Sequence, residues 1–256
     1  MKPVVRHILS VTLVVALCVV WLLSGRSWAR IRRATTCQGV KATIADSTLR
    51  RFVSEGDVVS WLGEWGTFVG APLDSLNLLE MENLLDSKGI IRKSQVWLED
   101  DGFIHAEVTQ REPVIRFQRG NLGFYADRSG FLFPLQNRFT ARVPIVDGVL
   151  PIRYEAGFKG YPEEAADKTW ILQVLALTDY MNSRAWMDLI GQITVDRRGN
   201  LVLLPREGRE KFLFGAPTGA EAKFGRIRTY YNTILPSHGE GYTTVDVRYD
   251  GQIICR

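Results

Sequence analysis

Side chains able to do covalent or acid–base chemistry are few in this 256-residue chain, and they are badly spaced for it. There are three histidines and three cysteines. His7 abuts a long apolar run, His105 falls in an alternating stretch that reads as a strand, and His238 sits in a Pro-Ser-His-Gly turn. Cys18, Cys37 and Cys255 are far apart in sequence, and no spacing resembles a zinc site. A phosphate-cradling glycine loop and a G-x-S-x-G elbow are both missing. The acidic runs Glu99-Asp100-Asp101 and Glu163-Glu164 read as a solvated hairpin and the first turn of a helix, where negative charge suits the dipole. No catalytic residue, metal ligand, cofactor site or small-molecule substrate is therefore expected.

The elements that would position such groups are clearer. Val40, Ala42 and Ile44 alternate as a short strand. Ser54 is placed to cap a helix with Asp57 at its third position and Val53 stapled onto Val58; that helix fails near Gly66. A second helix starts at Asn77, with Glu80 three residues on, and Gly89 is expected to close it in the left-handed conformation. Ile91 to Leu98 and Phe103 to Gln110 form a hairpin around Asp101-Gly102. Strand, helix, helix, strand, strand is a small α+β unit with its helices on one sheet face.

After Pro113 the strand signals dominate. Val114–Phe117, Gly123–Ala126, Phe131–Leu135, Val143–Val146, Gln192–Val195, Leu201–Leu204 and Lys211–Phe214 all read as strands. A helix is expected over Glu163–Met181, and a second behind a Thr218/Glu221 capping box, stopped by Pro236. Val245, Val247 and Tyr249 alternate, Asp250-Gly251 turns, and Gln252 to Cys255 follows as a last strand. A final strand of this kind readily lies at a sheet edge, and exposed edges recruit a partner's strand.

One stretch fixes where the rest sits. Ile8 to Leu23, with Ser24 and Gly25, gives 18 uncharged residues. At the helical rise this spans roughly 27 Å, enough for a bilayer core. The run is longer than a signal-peptide core and leads into a basic stretch with Trp28, so a retained anchor is expected rather than a cleaved leader. The chain carries +4 overall, but six of its 32 basic residues (Lys2, Arg6, Arg26, Arg30, Arg32 and Arg33) flank the anchor. The 26 that remain face 28 acidic residues, so the body is about −2. Arg26, Arg30, Arg32 and Arg33 suit membrane lipid headgroups, and no nucleic-acid partner is expected. Counting flanking charges alone would leave the large domain in the cytoplasm, a rule that weakens before a long domain.

With these segments placed, the chain resembles the FtsQ/DivIB family of bacterial cell-division proteins, in a Bacteroidetes-like branch. The resemblance rests on the short basic tail and single anchor, then Cys37-Gln-Gly-Val40 and Gln110-Arg-Glu-Pro-Val-Ile-Arg-Phe117. Tyr125-Ala-Asp-Arg-Ser-Gly-Phe-Leu-Phe-Pro-Leu135, Val143-Pro-Ile-Val-Asp-Gly148 and the terminal Val245-Asp-Val-Arg-Tyr-Asp250 follow in the family's order.

The resemblance implies an α+β protein: a short cytoplasmic tail (1–7), a single transmembrane helix (8–25), a basic linker (26–36), a POTRA-like βααββ domain (37–112), and a mostly antiparallel β domain with two helices (113–256). It implies a single-pass protein of the cell inner membrane, N-terminus cytoplasmic and bulk periplasmic, enriched at the septum. Its role would be that of a non-enzymatic scaffold of the divisome, binding partners of the FtsB and FtsL type by strand addition. Arg248, Tyr249, Gly251, Gln252, Ile253 and Ile254 are then the expected contact residues, with Tyr249 and Ile253 as cover for the domain's own core the competing reading. Cys37 and Cys255 are read either as a disulfide pair or as separate thiols. The alternatives are a POTRA-bearing secretion or outer-membrane assembly component, a class that normally precedes a β-barrel for which this chain has no room, and a membrane-tethered hydrolase, disfavoured by the histidines.

Overall fold

The computed structural model describes residues 12–23, 36–45, 52–136, 140–238 and 241–256. Residues 12–23 form helix α1 inside the apolar run. Among the described residues no helix is long and apolar enough to cross a membrane. Residues 8–11 and 24–25 of the expected span, His7, and the arginines 26, 30, 32 and 33 lie outside the described residues. The chain divides into two compact units, Met1–Gln110 and Arg111–Arg256.

The first unit runs β1 (Gly39–Ile44), α2 (Glu55–Trp65), a 3-10 turn at Leu73–Ser75, α3 (Leu78–Asp86), β2 (Ile91–Leu98) and β3 (Phe103–Gln110). The Ser54 capping box forms as expected: its hydroxyl accepts from the Asp57 N–H while the Asp57 carboxylate takes the Ser54 N–H. Asn77 caps α3 by accepting from the Glu80 N–H. Gly89, however, does not close α3 in the left-handed region. The helix ends at a right-handed Ser87, whose N–H reaches Asn83 O and whose hydroxyl donates to Leu84 O, so the last carbonyls are already satisfied. The sheet order is β1-β3-β2, with β1 parallel and β2 antiparallel to the central β3. Ile104, Ala106 and Val108 of β3 are buried beside Val58, Leu62, Met81 and Leu85 in the core of the unit.

The second unit is a nine-stranded sheet of order β12-β11-β10-β9-β8-β7-β4-β5-β6. Its strands are β4 (Ile115–Arg119), β5 (Leu122–Ala126), β6 (Leu132–Pro134), β7 (Ile145–Gly148), β8 (Ile190–Val195), β9 (Leu201–Pro205), β10 (Lys211–Gly215), β11 (Thr244–Asp246) and β12 (Ile254–Cys255). Between them lie α4 (Ala165–Ser183), the short α5 (Trp186–Leu189), α6 (Ala220–Thr229), a π-helical segment Tyr230–Ile234 and α7 (Leu235–His238). Most neighbouring pairs are antiparallel, and β4/β7, β7/β8 and β10/β11 are parallel.

Parallel neighbours need a crossover. Helices α4 and α5 connect β7 to β8, and α6 with the π segment and α7 connects β10 to β11. Both connections step the same way along a sheet whose β7, β8 and β10 run alike, so right-handed crossovers put both on one face. One core results, in which Phe117, Phe124, Ile193, Leu203, Phe212 and Phe214 of the strands meet Ile171, Val174, Leu177, Met181, Phe224 and Ile227 of the helices. Along one side of α4, Val174, Leu177 and Met181 are buried, Trp170 is half-buried and Ala166 is exposed.

Two expectations for the last helix fail. Thr218 does not cap it; Gly219, at φ 67°, stands there, and no side-chain cap forms. Pro236 does not stop it. The Leu235 N–H bonds to Tyr230 O across a widened π turn, which takes up the proline's missing donor and ring, and the helix continues to His238.

Candidate functional site

The two edges of the large sheet are not equivalent. At one, the Leu132 N–H and C=O of β6 are both taken by Gly160, at 2.9 and 3.0 Å. Pro134, two residues on and aimed the same way, has no N–H to offer. At the other lies β12, formed by the last residues of the chain. Thr244 and Arg256 exchange backbone bonds of 2.9 Å in both directions. Antiparallel pairs alternate between bonded and non-bonded. Val245 and Cys255 therefore face one another as a non-bonded pair, and the N–H and C=O groups of Cys255 and Ile253 point away from the sheet.

The turn between β11 and β12 is held by charge. Arg248 grips Asp246 with two bonds, Nε to Oδ1 at 2.9 Å and Nη2 to Oδ2 at 2.6 Å. Burial pushes the Asp246 carboxyl up, but the Arg248 side chain and backbone N–H more than offset this and leave it below its ordinary range. Arg226 of α6 donates from Nε to Val247 O at 2.9 Å and from Nη1 to Asp250 Oδ1 at 3.3 Å, so the helix fixes the start of the turn. Gly251, at φ +69°, makes the reversal in a conformation that a side chain would strain. The Gln252 N–H then closes onto Tyr249 O.

The six residues expected at the contact thus lie together on one rim, with different exposures. Tyr249 is 50% exposed, under the Arg248 guanidinium at 5.5 Å, so it does not cover the core. Gly251 and Gln252 are exposed. Ile253 does pack against the core, as does Cys255, while Ile254 points to the opposite sheet face. Strand alternation was visible in the sequence, but the short length of β12 was not: β11 ends at Asp246, and Tyr249 sits in the turn rather than on a strand.

Cys37 and Cys255 are free thiols. Cys37 is 1% exposed, its Sγ against Gly39 O, and burial pushes the Cys255 thiol up. Glu164 stands at the N-cap of α4 and meets Arg153 at 3.5 Å. In the first unit, Asp101 is brought against Lys41 at 2.6 Å and against His105 at 3.1 Å. The Lys41 bond, then the Phe103 N–H, lowers its carboxyl to about 2. His105 therefore has acidic partners that sequence spacing did not suggest, because the hairpin register, which pairs Trp97 with His105, carries Glu99 and Asp101 back over the ring.

Comparison with known families agrees with this architecture. Residues 112–256 match the family model described as FtsQ/DivIB, C-terminal related, and residues 35–109 match the one described as POTRA-like domain. No curated protein matches the chain.

Proposed function

The chain belongs to the FtsQ/DivIB C-terminal-related family, and from that we propose that it is a non-enzymatic scaffold of bacterial cell division which holds other division proteins at the septum. Its apolar run, residues 8–25, would anchor it in the inner membrane, with Arg26, Arg30, Arg32 and Arg33 against lipid headgroups and both folded units in the periplasm. The observation that carries the reading is the asymmetric sheet: one edge closed by Gly160 and Pro134, the other ending in β12 with outward backbone groups at Ile253 and Cys255. An extended segment of a partner of the FtsB type, travelling with an FtsL-type protein, would add there as a tenth strand. Main-chain bonds would supply affinity, and the exposed Tyr249 and Gln252 with the half-buried Ile254 would supply selectivity.

Co-purification from membranes tests this. Tyr249→Ala and Ile254→Asp should each reduce partner recovery at least tenfold, with the thermal transition of the protein shifted by no more than a few degrees. Ile253→Asp is the control that should lose both, since that side chain is part of the core packing. Unchanged recovery with Tyr249→Ala and Ile254→Asp would remove the edge as the binding surface, and normal cell length on depletion of the protein would remove the division role.

A further inference from the structure

The hairpin of the first unit brings together three side chains that nothing in the division role uses. Glu99, Asp101 and His105 each present one donor atom, and these atoms all lie within 4.8 Å of one another. The imidazole Nε2 stands 3.1 Å from Asp101 Oδ2 and 3.4 Å from Glu99 Oε2. Two ligands about 2.1 Å from a tetrahedral metal ion lie roughly 3.4 Å apart, so both separations from the imidazole are close to what a shared ion would require.

Each donor is held by a contact made with another of its atoms. Glu99 Oε1 accepts from the Trp97 indole at 3.0 Å, leaving Oε2 turned toward the imidazole. Asp101 Oδ1 accepts from the Phe103 N–H at 2.9 Å, leaving Oδ2. The His105 ring stacks on Trp97 with centroids 5.6 Å apart, and its side chain is only 16% exposed. Ligands fixed from behind in this way lose little freedom on taking up an ion. A cation already sits at the spot: the Lys41 ammonium lies 2.6 Å from Asp101 Oδ2 and 4.3 Å from the centre of the Phe103 ring.

We propose that Glu99, Asp101 and His105 form a binding site for a divalent transition-metal ion of the zinc type, for which Lys41 is the built-in competitor. One imidazole and two carboxylates suit zinc better than calcium or magnesium, whose sites are built from oxygen alone. Three protein ligands leave a further coordination position for water or a donor from a bound partner. Nε2 would bind the ion through its lone pair, with the ring proton on Nδ1.

The test is calorimetric titration of zinc chloride into the full-length protein in detergent. His105→Phe keeps a ring on Trp97 but removes the nitrogen, and should weaken zinc binding at least tenfold. Lys41→Met keeps the packing on Phe103 but removes the competing charge, and should tighten it severalfold. Asp101→Asn gives the loss by a second route should His105→Phe unfold the hairpin, which circular dichroism reports. Superimposable titrations for the wild type, His105→Phe and Asp101→Asn would overturn the proposal. So would an absence of zinc uptake by both the wild type and Lys41→Met.

Discussion

Asp127 shows how much one carboxylate can organise. Its Oδ2 accepts from Arg111 Nη1 at 2.6 Å, while Oδ1 takes the N–H groups of Ser129 and Phe131 at 2.8 and 3.1 Å. The Arg111 guanidinium also lies 3.6 Å from the centre of the Phe131 ring. The pair is only 12% and 11% exposed, so breaking it strands a buried charge. The Gln-Arg-Glu-Pro and Asp-Arg-Ser-Gly stretches, separate signals in the sequence, are two halves of one clamp at the start of the second unit. Asp127→Ala is expected to cost about 3 kcal/mol, the lower end for removing one member of a buried pair. For a unit of this size the thermal transition should fall by roughly 10 °C. Asp127→Asn, which keeps an acceptor for the turn, should lose less, and a melt of the three proteins side by side checks the order.

At the level of elements, the terminal strand has a feature that separates its own pairing from a partner's. The Cys255 N–H points away from β11, so a proline there deletes an outward donor without removing a bond inside the sheet. Cys255→Pro should therefore leave far-ultraviolet dichroism and the melting temperature close to wild type while cutting partner recovery severalfold. Recovery equal to wild type would mean that no strand adds at that position. Local chemistry was legible where it acts over a few residues: the Ser54 capping box, the Asn77 cap and the hairpin around Asp101-Gly102 all appear where the sequence puts them. Where distant groups compete, it was not. Ser87 took the role expected of Gly89, and the π turn at Tyr230 carried the chain past Pro236. The Glu99–Asp101–His105 trio stayed hidden for a related reason, since residues six apart in sequence meet only once the hairpin register is set.

For the whole molecule, each unit has its own buried core, and the described part of the proposed anchor, residues 12–23, is exposed. On the proposed reading, the body's near-neutral charge would leave membrane attachment to the apolar run and its arginines, not to a basic surface. A version lacking residues 1–33 should then be found in the soluble fraction after cell breakage, while the full chain resists extraction with alkaline carbonate; a truncated protein that still pellets with membranes would require a second attachment. The order of strands in the second unit could not be read from the sequence at all, because the crossovers set it, stepping from β7 to β8 and from β10 to β11.

That order makes the sheet a one-ended template. With Leu132 already bridged to Gly160 and Pro134 lacking a donor, a copy of this protein cannot dock its β6 margin onto the β12 margin of the next. Among the described residues, pairing of the large sheet through β6 is blocked by the bridge to Gly160, while no described strand covers the β12 margin.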